Sequence, residues 1–157
     1  MKIAGSYPLP YPRQQVWEAL MDPEVLSRTL PGCESLVRVE GPGEENFAGA
    51  LAVQVGPVRG EFKGALELSD LAPPGRYHMR LQGQGPGGFM SGEGDVRLEE
   101  AEAGTLLHYD LDAQIGGRIA GLGQRLLEST AKLITRQGLK GLERELARRS
   151  APGGQLG

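Results

Sequence analysis

The sequence predicts an α+β domain in which one curved, seven-stranded antiparallel sheet is covered by a long C-terminal helix, with two short helices after the first strand. Three observations lead there. From residue 34 to about 115, apolar and polar residues alternate with period two, broken by short Gly- and Pro-rich turns. Beyond Gly116-Gly117 the period becomes helical, with apolar positions at 119, 122, 126, 133 and 134, then 139, 142 and 146. An antiparallel sheet must bury one face, and this helix is the only element large enough to cover it.

Each element has a local cause. KIAGSYPLP reads as the first strand, stopped by Pro8, Pro10 and Pro12. Pro12 then suits the first turn of a helix, where its missing N–H costs nothing, and Val16, Trp17 and Leu20 follow at helical spacing. Asp22 is placed to cap a second short helix with Pro23 at its first position; Val25, Leu26 and Leu30 give it an apolar side, and Pro31-Gly32 end it. Strands are expected at about 34–40, 46–56, 58–70, 76–85, 89–99 and 105–115. Their breaks are GPGEE, Gly56-Pro57, APPG, GPGG and EEAEAG, all turn formers. A single helix is expected from 118 to 149, about 45 Å long at 1.5 Å per residue, which exceeds the reach of a small sheet. One domain therefore spans 1–149, with a frayed tail at 150–157.

Composition narrows the function. A chain of 157 residues with 24% charged residues can bury a core without staples. Net charge of −3 argues against a nucleic-acid partner. The single cysteine, Cys33, precludes an internal disulfide and fits a reducing compartment; it is expected to be a small buried or loop residue. No apolar h-region opens the chain and no run approaches the ~20 residues that span a bilayer, so a cytoplasmic location is expected.

Strand parity separates the two faces of the sheet. The inner set comprises Phe47, Gly49, Leu51, Val53 and Val55; then Gly60, Phe62, Gly64, Leu66 and Leu68; then Tyr77, Met79, Leu81, Gly83 and Gly85. It continues with Gly92, Gly94, Val96 and Leu98, and with Leu107, Tyr109, Leu111, Ala113 and Ile115. Glycine is 25 of 157 residues, about twice the usual share of ~7%, and it falls repeatedly on this inner face. Two readings follow. Either the glycines let the sheet bend and the helix pack closely, or they leave space for a ligand. In the second case the lining is Phe62, Tyr77, Met79, Leu81, Tyr109 and Leu111, with Gly83, Gly85, Gly92 and Gly94 beneath and Leu122 and Leu126 from the helix.

Catalytic and metal-binding patterns are scarce. His78 and His108 both fall on the wet face by parity, and no inward strand position carries a charge. Cys33 has no cysteine or histidine close by in sequence, so neither zinc spacing nor a thiol–imidazole pair is visible. GQGPGG at 83–88 fits G-x-G-x-x-G only as a string, because a strand follows it where a dinucleotide site needs a helix. Lys140, Arg144, Arg148 and Arg149 lie near the helix C-terminus, where cations complement the dipole or contact a membrane surface or a partner.

The stretches DPEVLSRTLPGCESL (22–36), VRGEFKGALELSDLAPPGRYHMRLQGQGPGGFMSGEGDVRL (58–98) and GTLLHYDLDAQIGGRIAGLGQRLLESTAKLI (104–134) resemble the CoxG family of carbon monoxide dehydrogenase subunits. That family lies within the START-like, birch-pollen-allergen-like helix-grip (SRPBCC) superfamily. The resemblance implies a helix-grip fold with a hydrophobic cavity between sheet and C-terminal helix. It also implies a non-catalytic role beside a molybdenum hydroxylase of the aerobic carbon monoxide dehydrogenase type, with a quinone or lipid as ligand and contact with the inner face of the membrane. An assembly or recruitment factor acting through protein contacts is the alternative; a cyclase- or hydrolase-type enzyme is a third. Many relatives add a linker and an apolar C-terminal segment, so on this resemblance membrane contact is expected through the basic helix end or a partner.

Overall fold

The strand following each turn pairs with the strand before it, as the short connections require. In the computed structural model, which describes residues 1–150, the elements are β1 (Lys2–Leu9), α1 (Arg13–Leu20), α2 (Pro23–Thr29), β2 (Cys33–Arg38), β3 (Glu45–Val55) and β4 (Val58–Ala72). They continue with β5 (Arg76–Gly85), β6 (Gly88–Ala101), β7 (Gly104–Gly116), a short 3-10 helix (Arg118–Leu122) and α3 (Gln124–Ser150). The seven strands form one sheet in the order β1-β7-β6-β5-β4-β3-β2, every pair antiparallel. Ser150 closes α3, and the rest of the expected tail, 151–157, lies outside the described residues.

Local chemistry sets the helix ends. Asp22 Oδ1 accepts from the Glu24 N–H at 2.9 Å, the expected cap, with Pro23 in the first turn of α2. Pro12 stands one position earlier than expected, as the extended residue that caps α1. The single helix expected from 118 is in fact two. Gly123, at φ 101°, separates the 3-10 turn from α3, because a residue in that conformation cannot continue a right-handed helix.

Parity holds across the sheet, and the register lines the inner residues up in transverse rows. One row runs Phe47, Leu66, Leu81, Gly92 and Ala113; another runs Gly49, Gly64, Gly83, Met90 and Ile115. The second row contains three glycines on consecutive strands, and it divides the concave face in two.

On one side of that row lies the core. Leu9, Val16, Trp17, Val25, Phe47, Leu68, Leu98, Leu107, Leu142 and Leu146 are all buried together there, joined by Tyr77. The Trp17 and Tyr77 rings meet edge-on, with centroids 5.6 Å apart at 77°. Both short helices and the C-terminal half of α3 close this end. In α3 the buried residues are Gly141, Leu142, Glu145 and Leu146; none of residues 124–140 is buried. The close backbone approaches of α3 to the sheet are on its flanks, at β1 and β3. α3 thus spans the concavity and is buried along its C-terminal half alone.

Candidate functional site

The clamp at the closed end is polar as well as apolar. Glu145 on α3 is buried and accepts from Arg28 Nε of α2 at 2.7 Å and from Arg148 Nη2 at 3.0 Å. Burial pushes the Glu145 carboxyl upward, but the two arginine hydrogen bonds and their charges act against it and leave it below its ordinary value. The sequence pattern does not single out Glu145, since strand parity says nothing about helix residues. Its position between Leu142 and Leu146 is the signal that could have found it. Arg148, expected to complement the helix dipole or to contact a membrane surface or partner, is engaged in this cluster.

Nearer the middle of α3, the Tyr7 hydroxyl of β1 donates to Glu143 Oε1 at 2.5 Å. That bond raises the Tyr7 pKa, with burial and the carboxylate charge acting in the same direction. Beyond it the helix and the β1 edge diverge and enclose a cleft of about 670 Å³. The cleft has half-buried walls of Ile3, Tyr7, Tyr109, Ala131, Thr135 and Leu139. Tyr7, Tyr109 and Leu139 also pack against the buried core, so the cleft floor continues the core surface. Exposed Lys2, Lys132, Arg136 and Lys140 form its rim. The volume lies in the range of small-molecule sites, about 300–1,000 Å³.

Of the expected lining residues, Tyr109 borders this cleft. Met79, Leu81 and Leu111 are half-buried in the rows of Leu68 and Phe47, with Met79 packed against the core, and Leu122 and Leu126 are half-buried around the start of α3. Tyr77 and Phe62 are buried. Burial drives the Tyr77 phenol pKa strongly upward, so the ring serves as a neutral core group. Met90, in register with Gly83 and Ile115, shares the inner face and is 37% exposed. Its place beside the turn at GPGG hides its parity in the sequence.

The glycines resolve into distinct roles. A methyl group on Gly85 would meet the Phe62 ring at 2.7 Å, and one on Gly92 would touch Leu81 at 3.4 Å. Large neighbours on the sheet therefore fold over these two glycines. At Gly94 the obstacle is the backbone of β7, with Leu111 Cα at 2.7 Å, and at Gly64 it is the Gln82 carbonyl of β5. Such crowding is what a sharply bent sheet produces. Of the four lining glycines, Gly83 and Gly92 have only ordinary contacts, Gly83 with Met90 Cγ at 3.5 Å and Lys63 O at 3.8 Å. The bending role applies at Gly64 and Gly94, while Gly83 and Gly92 are in ordinary contact with the side chains of Met90 and Leu81.

The histidines stand on the convex face, as parity predicts. His78 faces Glu93 at 3.0 Å and Asp95 at 3.1 Å; His108 faces Ser6 Oγ at 2.7 Å and Glu99 at 2.8 Å. Cys33 opens β2, where burial raises its thiol pKa and Sγ donates to Ser35 O at 3.4 Å. Among the described residues no helix is long and apolar enough to cross a membrane.

Comparison with known proteins gives a consistent result. A family model for CoxG, a carbon monoxide dehydrogenase subunit, matches residues 5–147. A conserved protein from Geobacillus kaustophilus superposes with a TM-score of 0.86 at 33% identity, covering 95% of this chain and 97% of that one. Zhui aromatase/cyclase, from a Streptomyces species, gives 0.70 at 18% identity over 98% of both chains. Ara h 8.0201 gives 0.66 at 14% identity, covering 93% of this chain and 97% of its own. The last two likenesses show the helix-grip fold alone. No curated protein matches the sequence.

Proposed function

The chain belongs to the CoxG family of carbon monoxide dehydrogenase subunits, and from that membership we propose that it holds a hydrophobic small molecule, a quinone or lipid, between the sheet and α3. In this role it is a non-catalytic accessory to a molybdenum hydroxylase of the carbon monoxide dehydrogenase type, working at the inner face of the membrane.

One observation carries the reading. α3 is buried only along 141–146, so its other half stands over inner-face apolar residues that are half-exposed and runs beside a cleft of about 670 Å³. A folded domain gains by covering such surface, roughly 25 cal/mol for each Å² of apolar area removed from water. An apolar guest supplies that cover. The non-catalytic assignment is supported by the strand faces: both histidines point outward, and along the middle of β3 to β7 the inner positions are apolar or glycine, with Glu45, Glu100 and Thr105 at that parity only at the strand ends.

Mass spectrometry of organic extracts from the purified protein, followed by titration with a soluble quinone analogue, tests the ligand. A co-purifying apolar molecule, or saturable binding lost in Leu81→Glu, is expected. A clean extract together with no quinone binding would overturn the reading. For the partner, co-purification of a molybdenum hydroxylase with the tagged chain is the expected outcome, and its absence from cells that express both would remove that half of the proposal.

A further inference from the structure

An apolar guest makes use of only part of the cleft between β1 and α3. Lys132, Arg136 and Lys140 follow one another at four-residue spacing, a line of about 12 Å along one face of α3. All three are exposed, and among the described residues none of them has a carboxylate within salt-bridge distance. The neighbouring acids are engaged elsewhere. Asp110 pairs with Lys2 at 3.2 Å, Glu143 accepts from Tyr7, and Glu128 accepts from Gln124 Nε2 at 3.0 Å. Three free cations thus line one rim of an apolar cleft, in a chain whose net charge is −3. Cations in a row raise the local concentration of anions, and a guanidinium binds a phosphate through paired hydrogen bonds.

We propose that this cleft takes a single-chain amphiphile with a phosphate head. The chain lies on Ile3, Tyr7, Tyr109 and Leu139, and the head sits between Arg136 and its two lysine neighbours. A phosphate monoester offers close to two negative charges and three acceptor oxygens, enough to engage more than one of the three. A neutral quinone would engage none of them by charge. The inference rests on the apolar-ligand reading above and narrows its ligand class.

Calorimetric titration of the full chain with dodecyl phosphate, dodecanol and inorganic phosphate, each below aggregation, tests it. Dodecyl phosphate is expected to bind roughly tenfold more tightly than dodecanol, with the preference shrinking as salt rises. A triple variant, Lys132→Gln, Arg136→Gln and Lys140→Gln, should abolish the preference and keep the dodecanol affinity. Glu128→Gln, which removes the acid from the cleft, should tighten dodecyl phosphate roughly two- to threefold. Equal affinity for the two amphiphiles, or a preference that survives the triple variant, would overturn the inference and leave apolar binding standing. If neither amphiphile binds, the inference falls, and the quinone titration above decides the apolar-ligand reading separately. Inorganic phosphate binding as tightly as dodecyl phosphate would overturn the role of the chain. Sedimentation with phosphatidylglycerol vesicles without binding of monomeric dodecyl phosphate would also overturn it, assigning the three cations to a membrane surface.

Discussion

Gly141 of α3 lies against the backbone of Thr29 in α2, so that a methyl group on it would meet Thr29 O at 2.8 Å and Thr29 Cα at 2.9 Å. This crossing fixes the clamped end of the helix. Thr29 has little freedom to retreat, since it is buried and its Oγ1 donates to Leu26 O at 3.0 Å. One turn earlier, Gly138 has nothing within 4 Å of the same position. Gly141→Ala is expected to destabilise by about 1–3 kcal/mol through overpacking. Gly138→Ala should stabilise by about 0.5–1 kcal/mol through helix propensity. Urea midpoints of the two variants measure both signs, and a shift in the same direction would contradict the crossing.

Glu145 supplies an acid-sensitive contribution. Its folded pKa is depressed, so the stabilisation is complete above the ordinary value of about 4.3 and is lost as pH falls through the folded value. Glu145→Gln should cost about 1–2 kcal/mol at neutral pH, because Arg28 and Arg148 lose a charged acceptor. The gap between wild type and variant should close in chemical denaturation below about pH 4.

His78 behaves in the opposite sense. Its two ring nitrogens face two carboxylates, so both must donate, which selects the imidazolium. The hydrogen bond to Glu93 and then that to Asp95 raise its pKa, against burial. This contribution is therefore complete below about pH 6.5 and is lost as pH rises through the folded value. An NMR titration should place His78 above about 6.5 and Glu93→Gln should lower it; an unmoved midpoint in that variant would remove Glu93 as the cause.

The glycine row gives a graded test of sheet geometry. Gly83→Ala meets only ordinary contacts and gains strand propensity, so it should lie within about 0.5 kcal/mol of wild type. Gly94→Ala and Gly64→Ala press a methyl group into neighbouring backbone and should each cost about 1–3 kcal/mol. Thermal unfolding of the three variants ranks them, and a destabilised Gly83→Ala would contradict the loose packing found there.

Alternation between residues 34 and 115 is enough to recover the strands and the facing of Phe47, Leu68 and Leu107, because a half-buried sheet imposes period two on each strand. Three features escaped it. The break at Gly123 depends on a backbone angle that an apolar pattern does not record. The fates of Gly85 and Gly94 depend on Phe62 and Leu111 in neighbouring strands, and thus on register. The cleft joins Ile3 to Leu139, residues at opposite ends of the chain, so no local window contains it. Its cations were nevertheless present in the sequence as a four-residue repeat on α3, and what hid them was the absence of any sign that β1 lies opposite.

The one-sided seating of α3 makes the helix a cantilever. Its root is the crossing at Gly141 together with the buried Leu142, Glu145 and Leu146, while its far arm carries no buried residue, touches the sheet through Leu126 beside Gly56, and begins at Gly123, whose added methyl group would meet nothing within 4 Å. A beam held at its root deflects most at its tip, so a given input of energy opens the concavity widest near Leu126 and least near Trp17. Widening the mouth then leaves the closed-end core intact, and opening and stability are governed by different residues of the same helix.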